Sequence, residues 1–173
     1  MLMRKTGWLL IVLTISFFHT ALFVPARGED NDQGALARAL QRPTTTLEAG
    51  LKASEREGRP ISAKFEIEGG RLQLSVYTMK DGDFAEVVLD PETGAIAKTE
   101  KISAGDDLKE ATAQGAAMTK ATQSLLAATK VAVGANAGFR AVSIFPELKG
   151  GHPAGELSLL RGDTFKKVAV RLD

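Results

Sequence analysis

The stretch ISAKFEIEGGRLQLSVYTMKDGDFAEVVLDPETGAIAKTEKI, Ile61–Ile102, decides the fold. Ala63, Phe65 and Ile67 alternate with Lys64, Glu66 and Glu68. After two glycines, Leu72, Leu74 and Val76 alternate with Gln73, Ser75 and Tyr77. Period two on both arms of a two-glycine turn predicts a half-buried β-hairpin. KDGD (Lys80–Asp83) turns the chain again, FAEVVLD forms a third strand, and DPETG (Asp90–Gly94) leads into a fourth, AIAKTEKI. Connections this short force antiparallel pairing, a meander. A helix before it must then cover its apolar face.

That helix is TTTLEAGLKASEREG. Thr45 stands as N-cap with Glu48 three residues on, the capping-box spacing. Leu47, Leu51 and Ser54 share a face, Gly58 is placed to close the end in a left-handed conformation, and Pro60 prevents continuation. Upstream, GEDNDQG reads as a polar leader and ALARAL as a short helical turn stopped by Pro43. Further upstream, Arg4 and Lys5 precede GWLLIVLTISFFHTALFV, and Val24 and Ala26 sit at minus three and minus one of a cut after Ala26. Basic, apolar, small-residue site is the order of a secretory signal peptide. The rival is an uncleaved anchor, since about 20 apolar residues span a bilayer. Pro25 and the polar RGEDNDQG favour cleavage.

Removal of residues 1–26 leaves 147 of the 173 residues and takes the formal charge from +1 to −1, because Arg4 and Lys5 leave with no acid. So neutral a chain has no broad electrostatic attraction for nucleic acid or an anionic membrane. Cysteine is absent, which excludes disulfides, thiolate zinc sites and a lipidated cysteine anchor.

The second half resembles the first in order. Leu108, Ala111, Gly115, Met118, Thr122, Leu125, Thr129 and Val133 recur at steps of three and four, predicting one long helix with Asp106 and Asp107 at its positive end. FRAVSIF, ELSLLR and FKKVAVRLD follow as strands, with PELKGGHPAG between the first two read as a loop. VVLD at Val87–Asp90 resembles VRLD at Val170–Asp173, an offset of 83, whereas Leu47 and Leu125 are 78 apart. An internal duplication therefore needs an insertion in the second copy, placed at LKGGHPAG.

The run from Thr45 to Ile102 resembles the PepSY domain, a small module of secreted and envelope proteins. An apolar helix, a Gly/Pro break, the pair FEIEGGRLQLSVY and the closing VLDPETGAI carry the resemblance. It implies an α+β fold: two tandem repeats of a helix on an antiparallel β-meander, after a cleaved signal peptide. The expected organisation is signal peptide 1–26, polar leader with a short helical turn 27–44, module one 45–104, and module two 105–173, diverged and lacking the final turn and strand. The resemblance also implies a periplasmic or secreted protein that binds or restrains other proteins, peptidases among them, without catalytic residues; the residues themselves point to no cofactor and no metal.

Candidates for chemistry are few. Asp90 and Glu92 form the densest acidic pair, but both sit in one turn and are expected to be solvated alike. His152 is the one histidine after Ala26, in a Gly/Pro loop; Ser143 and Ser158 are the serines that folding could bring to it. KDGD offers too few ordered oxygens for calcium, and GANAGF (Gly134–Phe139) ends a helix, where anions are repelled. Arg38, Arg42, Lys52, Arg56 and Arg59 form a basic stripe, interleaved with Glu48, Glu55 and Glu57, that reads as a solvated face. These residues favour a non-catalytic protein-interaction module acting by strand addition near Phe165–Leu172. The alternative is a small-ligand or lipid-binding envelope protein using the concave sheet surface.

Overall fold

Alternation in the quoted stretch resolves into four strands: β1 (Arg59–Glu68), β2 (Arg71–Lys80), β3 (Asp83–Leu89) and β4 (Ile96–Ile102). Three more follow, β5 (Arg140–Lys149), β6 (His152–Arg161) and β7 (Thr164–Arg171). The computed structural model describes residues 27–42 and 44–173, so the expected signal segment, 1–26, lies outside the described residues. All seven strands join one antiparallel sheet in the order β4-β3-β2-β1-β5-β6-β7. Gly69 and Gly70, at φ 55° and 77°, make the β1–β2 turn, and Gly150 and Gly151, at 59° and 85°, make the β5–β6 turn. Both residues of such a hairpin turn need positive φ, which a side chain resists.

The helices are α1 (Arg27–Ala39), α2 (Leu47–Ser54), α3 (Gly105–Lys120) and α4 (Leu125–Gly134). Phe65, Leu74, Val76, Val87, Leu89, Ile144 and Leu157 are buried in the core that they share with Leu47 and Leu51 of α2. Gly50 of α2 lies directly over Leu74, and α4 packs beside α2. Gly115 of α3 instead lies over Met79 and Phe84. Leu74 and Met79 are five apart on an unbroken ladder and so point to opposite faces. The sheet is therefore covered by α2 and α4 on one face and by α3 on the other. The α3 side is more polar: Ser62, Ser75 and Ser143 are buried, and Tyr77 Oη donates to Asp107 of α3 at 2.9 Å. Burial first, then the Asp107 carboxylate, pushes the Tyr77 pKa up.

Several sequence expectations are corrected. Residues 28–34 belong to α1 rather than to an irregular leader. The α2 N-cap is Thr46, whose hydroxyl accepts from Ala49 N at 3.1 Å; Thr45 N instead donates to Pro91 O at 2.7 Å. Gly58 is not among the positive-φ residues. Its value is closeness, since a Cβ there would sit 3.0 Å from the Met79 carbonyl oxygen. The long helix is two helices, broken at residues 121–124. Thr122 N and Gln123 N both donate to Leu172 O, at 2.8 and 2.9 Å, and Ser124 caps α4. The single stripe of the sequence is thus divided between opposite faces of the sheet.

PELKGGHPAG is no loop but the tip of the β5–β6 hairpin, with Pro146 opposite Gly155 and Leu148 opposite Pro153. The expected insertion is absent from that hairpin. β1, β2 and β3 start at 59, 71 and 83, and β5, β6 and β7 at 140, 152 and 164, a constant spacing of 81. The caps Thr46 and Ser124 are 78 apart, so the segment from helix cap to strand is three residues longer before β5 than before β1.

Candidate functional site

Asp90 and Glu92 hold a turn. Asp90 Oδ1 accepts from Glu92 N at 3.1 Å, Thr93 N at 2.8 Å and Thr93 Oγ1 at 2.8 Å. Gly94, at φ 71°, closes it with N–H to Asp90 O at 2.9 Å. The Thr93 backbone N–H, then its hydroxyl, hold the Asp90 carboxyl below its ordinary pKa. An ionised acceptor serves this turn, and a proton-shuttling acid does not. Asp90→Ala is expected to lower Tm by about 2–6 °C at pH 7, as loss of a comparable cap does. Because folding lowers this pKa, the stabilisation is present above about pH 4, the unfolded value, and fades as pH falls through the folded value. Melting curves of variant and parent should differ at pH 7 and converge in acid.

His152 begins β6 rather than sitting in a loop, and its Nδ1 lies 3.0 Å from Asp173 Oδ2. Arg171 also grips Asp173, at 2.9 and 3.1 Å. Arg171, then His152, draw the Asp173 carboxyl down to about 2. No serine joins them. Ser158 lies six residues along β6, about 20 Å away at strand rise, and Ser143 is its cross-strand partner. Asp81 and Gly82 form a simple hairpin turn between β2 and β3. Among the described residues, no three His, Asp or Glu side chains come together to hold a metal, and no helix is long and apolar enough to cross a membrane.

The basic stripe divides. Lys52 pairs with Glu55 at 2.5 Å, Arg56 with Glu57 at 3.4 Å, and Arg59 donates to Ala121 O at 3.3 Å. Arg38 and Arg42 leave this set and meet Arg71 of β2 around a separate groove. Sequence reasoning missed that meeting, because the two parts are about thirty residues apart and no local spacing joins them.

Among the described residues the sheet has two free edges, β4 and β7. Both edges carry ion-paired charges, but β4 is the more shielded, because its ladder also carries a register shift. Such features blunt an edge against pairing. β7 pairs with β6 without a shift from Thr164 to Arg171. In a two-residue hairpin the closing pair, here Arg161 and Thr164, exchanges both hydrogen bonds, and bonded pairs then alternate. The outward N–H and C=O groups therefore belong to Phe165, Lys167, Ala169 and Arg171. The edge carries three exposed basic side chains, Lys166, Lys167 and Arg171; Lys167 pairs with Glu156 at 2.8 Å, Arg171 with Asp173, and Lys166 donates to Asn136 at 2.7 Å. No protein-family model matches this chain, and no curated protein or solved structure matches it either.

Proposed function

We propose that this is an exported, non-catalytic binding protein that takes up an extended, acidic segment of an envelope or secreted protein, a peptidase among the candidates, along β7. The observation that carries the reading is the edge itself: eight residues in regular register with β6, forming an outer strand of the sheet among the described residues and carrying three basic side chains. Main-chain hydrogen bonds supply affinity in strand addition, and flanking side chains supply selectivity. The basic edge favours an acidic strand.

The same reading takes residues 45–104 and 105–173 as two copies of one PepSY-like module. The 81-residue spacing of three consecutive strands supports it. So do register shifts at equivalent points, between Pro60 and Ser62 in β1 and between Ala141 and Ser143 in β5. The antiparallel β1–β5 pair would then be the seam between copies. Export, to the periplasm or beyond the cell, rests on the basic–apolar–small order of residues 1–26.

Ala169→Pro tests the edge. Proline is tolerated where the N–H faces solvent, and it removes one outward donor. Cross-linking in the cell-envelope fraction, with the mature amino terminus read by mass spectrometry, should give a partner adduct for the parent starting at Arg27. The proline variant should fold and lose that adduct. An adduct of equal yield from the variant sinks the edge reading.

A further inference from the structure

We infer that the groove between α1 and the tip of the β1–β2 hairpin binds a single-chain anionic amphiphile, a carboxylate or phosphate monoester carrying a short hydrocarbon tail. This site is separate from the β7 edge and does not depend on it. The groove has a volume of about 640 Å³, within the range of small-molecule sites. Arg38 lines one wall from α1 and Arg42 follows it; Arg71 lines the opposite wall from the hairpin tip. None of the three makes a hydrogen bond or ion pair with a described residue. Lys52 and Arg56, nearby in sequence, are by contrast both paired with carboxylates.

Three guanidinium groups around one cavity repel each other until an anion joins them, and their planar forks match the two oxygens of a carboxylate or phosphate. Beside them the walls are apolar. Ile67, 36% exposed, is one of few large aliphatic side chains left open to water, and Leu72 stands across the strand from it. A bare oxyanion would satisfy the arginines and leave Ile67 wet; a hydrocarbon tail covers it. Thr44 lines the same groove, and its buried hydroxyl has no partner among the described residues. Glu92, on the DPETG turn, is the carboxylate among the lining residues. Three cations against one acid suit a ligand of low negative charge, and Glu92 opposes a more highly charged one.

Titration calorimetry of the purified protein with decanoate and with decyl phosphate tests this. Both are expected to bind one per chain and to weaken as salt rises. Arg71→Gln and Arg42→Gln should each weaken binding by about tenfold or more, the worth of one charged hydrogen bond. Ile67→Asp should abolish it, and Glu92→Gln should tighten it. Decyl maltoside and inorganic phosphate should each bind at least about tenfold more weakly than decyl phosphate, since each lacks one half of the recognition. Arg42 and Arg71 are exposed and without a partner among the described residues, so their variants should fold, as circular dichroism would verify. Maltoside binding as tight as the anions would show general detergent uptake and overturn the proposal. Phosphate as tight as decyl phosphate would show a bare oxyanion site and overturn it too. Unchanged affinity in both arginine variants would place binding elsewhere. Ala169→Pro should leave decyl phosphate affinity unchanged, which keeps this result distinct from the fate of the β7 edge.

Discussion

Leu74→Ala is expected to cost about 3–5 kcal/mol, a cavity-forming change at the centre of the sheet. Leu74 is fully buried, lies between Phe65 and Leu89 in the ladder, and meets Gly50 of α2 from above. That last contact makes a second expectation with an opposite sign from helix propensity. Alanine at an exposed helical position is better than glycine by about 1 kcal/mol. Here a Cβ on residue 50 would sit 2.3 Å from Leu74 Cδ2. Leu74 is fully buried and would have to shift within the core, so Gly50→Ala should instead destabilise by about 1–3 kcal/mol, as overpacking does. The pair should then be strongly non-additive. With Leu74 already cut to alanine, the residue 50 methyl enters the cavity and recovers part of the loss. Urea unfolding of the two single variants and the double should show a coupling of about 1 kcal/mol or more. Additivity within about 0.5 kcal/mol would mean that α2 does not press on β2 as described.

This contact also marks how far the sequence could be read. The alternation from Ile61 to Ile102 was legible because one face of each strand is buried, and a buried face writes its period into the residues. DPETG was legible for a different reason: Asp, Pro and Gly each have a local use in a turn. The break at residues 121–124 was not legible. Alanine and threonine carry the apolar stripe straight across it, and the group that ends α3 is the Leu172 carbonyl, 50 residues from Thr122. PELKGGHPAG misled because proline counts against a strand. The β1–β5 ladder covers only Ala63–Ile144 and Lys64–Ser143, so Pro146 lies beyond it and its missing N–H breaks no bond to β1. Pro153 likewise precedes the β6–β7 ladder, which begins at Ala154. The groove was hidden for the same reason as the helix break, since Arg71 reaches Arg38 and Arg42 only through the packing of α1.

Arg140 holds that packing in place, and its loss should have the second large effect. Its Nη1 donates to Leu40 O at 3.3 Å and its Nη2 to Thr45 O at 2.8 Å. The guanidinium also lies 5.4 Å from the centre of the Phe65 ring. A residue at the start of β5 thus ties down both ends of the link between α1 and α2, almost a hundred residues earlier. Burial pushes the Arg140 pKa down, with Glu48 opposing, as expected of a cation inserted into structure. Hydrogen bonds from a charged donor contribute about 1.5–3 kcal/mol each, and a cation over an aromatic ring about 0.5–2 kcal/mol. Desolvation of the guanidinium offsets part of this. Arg140→Met keeps the stem and removes the donors, leaving two carbonyls without their partner, and should cost about 2–4 kcal/mol. Arg140→Lys can reach one carbonyl and should cost less. The damage should also be local. Amide hydrogen exchange in α1 should quicken in Arg140→Met well before the sheet opens, because the described part of α1 joins the core through its last turn and the following residue alone, at Leu36, Ala37 and Leu40. With α1 loosened, the groove loses the wall that carries Arg38, and decyl phosphate affinity should fall although no groove residue has changed. The β7 edge, anchored by β6 and α4, should bind its partner as before. If α1 exchange and decyl phosphate affinity both match the parent, Arg140 does not position α1, and the groove is built without it.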